Sequence, residues 1–154
     1  MRQELGVVAR TLNILLVEDN PAHARLVCRS IADNRVPNRI AHVLDGALAL
    51  AYLQHQSPYE DIVECPRPDL ILLDLRLPKV DGLEVLRQVK ADPGLAKIPV
   101  VVLSTSSADS DIERAYAMHA NSYLVKPVDF GMFLQMMRDL GFYWLVWNRS
   151  SLPQ

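Results

Sequence analysis

Residues 69–82, with the sequence Asp-Leu-Ile-Leu-Leu-Asp-Leu-Arg-Leu-Pro-Lys-Val-Asp-Gly, constrain the fold of this chain more than any other stretch. The apolar run that ends at Asp74 is typical of a parallel strand buried on both faces. Pro78 lacks a backbone donor and Asp81-Gly82 favours a turn, so the chain then leaves the sheet and enters a helical pattern. Ligands bind at such strand ends in open parallel sheets. Asp74 is therefore either a functional carboxylate or an ordinary capping residue.

The same alternation of an apolar strand and a helical pattern recurs along the chain. Strands are predicted over residues 14–17, 39–44, 98–103 and 122–125, in addition to the Asp74 strand. Helices are predicted to begin at Pro21, Asp45-Gly46, Gly82, 107–109 and 128–129. The 154 residues, half of them hydrophobic, suffice for one domain with a substantial core. The pattern predicts a doubly wound α/β domain.

The predicted organisation is a leader over residues 1–12, a domain over 13–140 and a C-terminal extension over 141–154. A net charge of −2 gives no electrostatic reason to expect a nucleic acid or a membrane as partner. No signal peptide and no apolar run of membrane-spanning length occurs, so we expect a cytoplasmic protein. The absence of a GxxxxGK pattern argues against a P-loop nucleotide enzyme. The long connection over residues 54–68 is either functional or a surface ornament.

Polar side chains stand at the ends of four of the five predicted strands. They are Glu18, Asp19, Asp74, Ser104 and Lys126. Because parallel strands end at one edge of the sheet, these groups are expected to meet there. Three neighbouring carboxylates repel one another unless a cation offsets them, and an all-oxygen site is the kind that Mg²⁺ occupies. With a hydroxyl and a lysine nearby, the set suits transfer of a phosphoryl group to an aspartate.

Four motifs carry a resemblance to a known family. They are Leu-Val-Glu-Asp-Asn, Leu-Leu-Asp-Leu-Arg-Leu-Pro-Lys-Val-Asp-Gly, Val-Val-Leu-Ser-Thr-Ser and Tyr-Leu-Val-Lys-Pro. Together they resemble the receiver domain of bacterial two-component response regulators over roughly residues 13–140. The resemblance implies a flavodoxin-like (βα)5 sheet and a phosphoacceptor, supplied by a histidine kinase, at Asp74. It also implies a Mg²⁺ ion bound directly by Asp19 and Asp74, through water by Glu18, and by the backbone carbonyl of Arg76.

The resemblance further implies how the phosphoryl group is stabilised and sensed. Ser104 would move to hydrogen-bond it, Lys126 would pair with it, and Tyr123 would change its burial as the signal spreads. A non-prolyl cis peptide just before Lys126-Pro127 is also implied. Arg76 departs from the smaller polar residue common at its position, and it either reaches over the phosphoryl group and alters its hydrolysis rate or is an exposed arginine with no such role. His23 belongs to the polar face of the first helix, which faces solvent or a partner.

The C-terminal end holds six of the ten aromatic residues of the chain. Phe142, Trp144 and Trp147 lie in a segment that is apolar nearly all round, beyond the stripe that a terminal helix needs. This segment either folds back onto its own domain or, as we prefer, forms a homodimer with a second copy. The aromatic tail and the proline-rich stretch before Asp69 resemble the stand-alone regulators paired with cyanobacterial phytochrome kinases.

Two other functions compete with a phosphorylation-operated relay. An aspartate-nucleophile phosphatase usually has a second acid two residues after the nucleophile, where this chain has Arg76. A scaffold that uses the fold only for binding would not need the acid, hydroxyl and lysine set.

Overall fold

A computed structural model describes residues 11–32 and 37–142, apart from the side chains of residues 130 and 140–142. Within them a five-stranded parallel sheet alternates with five helices, which confirms the predicted doubly wound α/β fold. The strands are β1 (Leu12–Val17), β2 (Asn38–Val43), β3 (Leu70–Asp74), β4 (Val100–Ser104) and β5 (Ser122–Val125). The helices are α1 (Pro21–Ala32), α2 (Gly46–Leu53), α3 (Gly82–Ala91), α4 (Asp109–Ala117) and α5 (Phe130–Phe142).

The strand order is β2-β1-β3-β4-β5. Because β1 pairs with both β2 and β3, the order of the strands reverses at this point and leaves a crevice beyond their carboxyl ends. In the register of the sheet, Asp74 lies opposite Leu103, and Ser104 lies opposite Val125. The ends of β3, β4 and β5 are therefore aligned beside the crevice.

Each face of the sheet carries its own hydrophobic core. Every residue of β3 and β4 is buried, as expected for strands covered on both faces. Successive side chains point to opposite faces, so Ile71 packs with α2, α3 and α4, whereas Leu72 packs with α1 and α5. Phe133 and Met137 of α5 complete the second core. This double cover holds the strand ends rigidly in place.

Several boundaries differ from prediction by one to two residues. β1 begins at Leu12, inside the predicted leader, and β4 begins at Val100 and includes Ser104. Pro99 has no N–H for the ladder, although its carbonyl accepts a hydrogen bond from Ile71 N–H at 3.0 Å. α5 begins at Phe130 and not at 128–129. The divisions at 12/13 and 140/141 stay predictions.

The connection over residues 54–68 is folded against the domain. The Tyr52 hydroxyl donates to the carbonyl of Pro66 at 3.2 Å, and Arg39 of β2 donates to the carbonyl of Glu64 at 2.6 Å. Ile62 and Val63 remain 64% and 75% exposed at its tip. Among the helices described, none has both the length and the apolar character needed to cross a membrane.

Candidate phosphoryl-transfer site

Three carboxylates meet at the carboxyl ends of β1 and β3. One oxygen from each of Glu18, Asp19 and Asp74 lies within 4.8 Å of the others. Glu18 and Asp74 are buried, whereas Asp19 is exposed to solvent. The structure thus brings together the acid pair after the first strand and the lone acid after the third, as the sequence predicts.

Lys126 places a positive charge among these acids. Its ammonium group donates to Glu18 Oε1 at 2.5 Å and lies 3.4 Å from Asp74 Oδ2. The lysine follows β5, and its backbone N–H donates to the carbonyl of Ser104 at 2.6 Å. This bond ties the end of β5 to the end of β4. The buried ammonium is consequently fixed beside two carboxylates.

One lysine does not balance the acids around it. Burial is the main cause that raises the pKa of Asp74, to about 6, and a hydrogen bond with Glu18 adds to it. The charge of Lys126 and the N–H of Arg76 act in the opposite direction. Ionisation of Asp74 therefore leaves excess negative charge in the crevice. Three clustered carboxylate oxygens with excess charge suit a hard divalent cation.

Ser104 ends β4 and is fully buried. Its hydroxyl oxygen accepts the N–H of Ser106 at 3.1 Å, whereas the neighbouring Thr105 is exposed. Tyr123 of β5 is 9% exposed, and its hydroxyl donates to the carbonyl of Ser106 at 2.9 Å. The segment after β4 is thus held by both residues that were predicted to sense the phosphoryl group.

The Arg76 side chain is exposed and does not reach over the strand ends, which is the second of the two predicted arrangements. Its backbone N–H donates to Asp74 Oδ1 at 3.3 Å, but its guanidinium turns outward to Asp111 Oδ2 on α4, at 3.1 Å. The side chain is 71% exposed. Arg76 is therefore exposed and paired at the same time. The role of its carbonyl as a metal ligand stays a prediction.

His23 belongs to the site, which the sequence analysis missed. Its Nδ1 lies 3.1 Å from the ammonium of Lys126 and accepts from it, because an ammonium group can only donate. Its ring packs against Phe133 with centroids 5.4 Å apart. Burial, followed by the charge of Lys126, lowers the pKa of His23. Pro21 at the first helical position was the available signal, since it puts His23 in the first turn beside the strand ends.

Asp111 is the second group that the sequence analysis missed. It accepts a hydrogen bond from the Ser106 hydroxyl at 2.6 Å as well as from Arg76. The hydrogen bond from Ser106 is the main cause that lowers the pKa of Asp111, and the hydrogen bond from Arg76 adds to it. With Arg76 and Arg114 it lines a cleft of about 250 Å³ next to the loop after β3. An acid in the first turn of a helix is common, so no sequence signal set it apart.

Some predicted features fall elsewhere. Trp144 and Trp147 lie outside the described residues, as does the side chain of Phe142.

The cis peptide expected just before Lys126-Pro127 is absent from the described part of the chain, where the cis bond is Ser57–Pro58. That expectation was wrong, and a non-prolyl cis bond would cost about 3 kcal/mol.

Comparison with known proteins identifies the family of this chain. Residues 14–138 match the family model described as the response regulator receiver domain. The "Probable methanogenesis regulatory protein FilR2" of Methanothrix harundinacea is 48% identical over 91% of this chain and 88% of its own length. Response regulator Rcp1 of Synechocystis is 43% identical over 86% of this chain and 88% of its own length.

Two solved structures have the same architecture. The Mn²⁺-bound form of Rcp1 superimposes with a TM-score of 0.83 at 42% identity, over 88% of this chain and 95% of that one. The phosphorylated cyanobacterial phytochrome response regulator RcpA superimposes with a TM-score of 0.84 at 44% identity, over 89% and 96% of the two chains.

Proposed function

The chain belongs to the response regulator receiver family, and from this premise we propose that it accepts a phosphoryl group from a histidine kinase onto Asp74. One observation carries the proposal. Asp74 ends the central strand β3, with the Lys126 ammonium at 3.4 Å and carboxylate oxygens of Glu18 and Asp19 within 4.8 Å. A nucleophilic carboxylate, a cation site and a fixed ammonium are the parts that phosphoryl transfer to an aspartate requires.

The proposed transfer is a displacement at phosphorus. A carboxylate oxygen of Asp74 attacks the phosphorus of an N-phosphorylated histidine, and the new O–P bond forms as the N–P bond breaks. The imidazole nitrogen leaves with the electron pair and takes a proton from solvent. The Lys126 ammonium and the Ser104 hydroxyl, at the aligned ends of β5 and β4, pair with the phosphoryl oxygens. Hydrolysis by water at the same phosphorus releases phosphate and restores the carboxylate.

The ion that we propose for the site is Mg²⁺. Glu18, Asp19, Asp74 and the carbonyl of Arg76 would hold it, and it would offset charge on the carboxylates and the phosphoryl oxygens. Burial, followed by the hydrogen bond with Glu18, raises the pKa of Asp74 to about 6, and a cation beside the ionised carboxylate would offset this cost. The Mn²⁺-bound structure of Rcp1 supports a divalent ion in a chain of 42% identity. With that ion in place, phosphorylation from small-molecule donors and dephosphorylation are self-catalysed, without a separate enzymatic activity.

The upstream kinase that we propose is a phytochrome. The similarity to RcpA supports this choice, since that protein is described as a phytochrome response regulator. The similarity to FilR2, whose name refers to methanogenesis, supports a kinase of another pathway as the alternative.

Output in this proposal passes through Ser104 and Tyr123 to partner or dimer contacts, inside the cytoplasm. Tyr123 already reaches the segment after β4, which would have to move if Ser104 turned toward the phosphoryl group. The aromatic residues Phe142, Trp144 and Trp147 would form the homodimer. Light scattering at micromolar concentration tests the dimer, and a monomer both with and without phosphorylation contradicts it.

Label transfer from a panel of autophosphorylated kinases tests the function. The panel includes a phytochrome kinase in both light-set forms, Mg²⁺ is present, and Asp74→Asn and Asp111→Asn are the matched variants. We expect fast transfer from the phytochrome to the wild type and to Asp111→Asn, and none to Asp74→Asn. Equally slow transfer from every kinase, with labelling by acetyl phosphate intact, refutes the phytochrome pathway.

The same experiment separates the competing functions. Failure of every donor to label the protein would favour a scaffold that uses the receiver fold only for binding. Sustained release of phosphate from a phosphomonoester would favour a phosphatase. Residue 76, two positions after Asp74, is an arginine where such phosphatases usually have a second acid, which argues against the phosphatase.

A further inference from the structure

Asp111 joins two segments that flank the site. Its carboxylate accepts the Ser106 hydroxyl, in the loop after β4, at 2.6 Å and the Arg76 guanidinium, in the loop after β3, at 3.1 Å. Arg114, one turn along α4, lies 3.8 Å from its other oxygen. The Asp111 side chain is only 10% exposed, so these partners surround most of it.

Arg76 is the partner that connects Asp111 to the phosphoacceptor. Its backbone N–H donates to Asp74 Oδ1, so its side chain starts beside the carboxylate that is to be phosphorylated. From that point an arginine can turn inward over the strand ends or outward to α4. Asp111 is the described group to which the guanidinium is bound in the outward arrangement.

We propose that Asp111 is a positioning residue that holds the Arg76 guanidinium away from Asp74 and thereby shortens the lifetime of the phosphorylated form. The inference rests on the proposed phosphorylation of Asp74. It adds a residue on α4 that regulates the same site from outside it.

The physical argument is a competition between two anions for one guanidinium. A phosphoryl group brings a charge near −2 and a geometry that arginine matches with two hydrogen bonds. Asp111 competes because the Ser106 hydroxyl already orients its carboxylate toward Arg76. When asparagine replaces Asp111, the anion that holds the guanidinium outward is missing, so Arg76 turns inward, covers the phosphoryl oxygens and obstructs the attacking water. The acyl phosphate then lasts longer.

Decay of the phosphorylated protein tests the competition. Wild type, Asp111→Asn, Arg76→Met and the double variant are labelled with radioactive acetyl phosphate and Mg²⁺, desalted, and followed over time. We expect Asp111→Asn to slow hydrolysis about fivefold, within the range of coupling between residues in contact. We expect the same substitution to change nothing when Arg76 is methionine, because the positioned group is then missing.

Two control variants isolate the role of Asp111. Arg114→Met removes the weaker cation on α4 and is expected to leave the hydrolysis rate unchanged. Ser106→Ala keeps Arg76 paired with Asp111, and it is expected to slow hydrolysis less than Asp111→Asn does. Melting curves of all variants establish that they fold.

Two results would overturn the inference. They are an unchanged rate in Asp111→Asn and an equal slowing with and without the Arg76 side chain. If Asp111→Asn does not fold, Asp111→Ser, which also removes the charge that holds the guanidinium, replaces it in both comparisons. A wild type that acetyl phosphate cannot label refutes the proposed function instead, which keeps the two failures distinct.

Discussion

Asp74 and Asp111 are aspartates of similar exposure in opposite electrostatic situations. Their exposed fractions are 9% and 7%. Burial and the neighbouring Glu18 raise the pKa of Asp74 to about 6, whereas hydrogen bonds from Ser106 and Arg76 lower the pKa of Asp111. Burial is the main cause at Asp74, whereas at Asp111 the two donated hydrogen bonds outweigh the effect of burial.

The contrast separates an acid whose negative charge is still available from an acid whose charge is already satisfied by its partners. Around Asp111 the partners are donors and cations, so its negative charge is already satisfied. Asp74 shares one lysine with Glu18, and Asp19 adds a third carboxylate, so an incoming cation finds unsatisfied charge. A phosphorylation site needs the arrangement found around Asp74, since its negative charge has to remain available to bind Mg²⁺ and its carboxylate has to remain available for a phosphoryl group.

Removing a cationic partner of each aspartate should produce the largest difference in stability between the two regions. Lys126→Met leaves Glu18 and Asp74 buried without their shared ammonium, so we expect a loss of about 3–5 kcal/mol in the free energy of unfolding at pH 8 without metal. Arg114→Met removes an exposed partner of Asp111 and should cost no more than about 0.5 kcal/mol. Urea denaturation measures both. Equal losses would mean that the two regions are electrostatically alike.

Neutralising each aspartate should change stability in opposite directions. Because its pKa is raised, the Asp74 side chain contributes to the free energy of unfolding below pH ~4, and this contribution is lost above about pH 6. We therefore expect Asp74→Asn to gain about 2 kcal/mol in the free energy of unfolding at pH 8 and nothing near pH 4. Because its pKa is lowered, the Asp111 side chain contributes to the free energy of unfolding above pH ~4, and this contribution is lost below that pH. Asp111→Asn should therefore be destabilised at pH 8, less so in acid. Urea titrations in EDTA from pH 4 to 8 measure both, and shifts of the same sign would contradict the comparison.

Mg²⁺ should distinguish the two regions by ligand-linked stability. At a concentration about ten times its Kd the ion adds about 1.4 kcal/mol to the wild type. Asp111→Asn should respond equally, whereas Asp19→Asn and Asp74→Asn should respond weakly. Thermal unfolding with and without the ion measures the effect. A full response in Asp74→Asn would place the ion elsewhere.

The last prediction concerns the hydrogen bonds on the Asp111 side. Tyr123→Phe removes the hydroxyl that donates to the carbonyl of Ser106. Loss of one hydrogen bond should cost about 1 kcal/mol and speed amide exchange in the segment between β4 and α4. Hydrogen exchange followed by mass spectrometry measures it. Exchange that speeds up around Asp74 instead would show that Tyr123 supports the other region.

The fold and the acidic residues of the site were predictable because the sequence shows where each buried strand lies and where it ends. Buried strands appear in sequence as short apolar runs, and parallel strands deliver their carboxyl ends to one edge. Glu18, Asp19 and Asp74 were located in this way, and so was Lys126.

The partners His23 and Asp111 were not predictable by the same argument. Both lie in the first turns of helices, and their roles depend on where a side chain turns. The outward orientation of Arg76 likewise depends on which anionic group lies within reach of its guanidinium in the folded chain. Spacing along the chain carries no information on that choice.

Chemical mapping of the phosphorylated residue tests the central claim most directly. The protein is treated with acetyl phosphate and Mg²⁺, the acyl phosphate is trapped by borohydride reduction, and the modified peptide is sequenced by mass spectrometry. We predict modification at Asp74, none at Asp19 or Asp111, and loss of the signal when EDTA replaces Mg²⁺. Modification at Asp111, or an undiminished yield in Asp74→Asn, would contradict the assignment of the two aspartates.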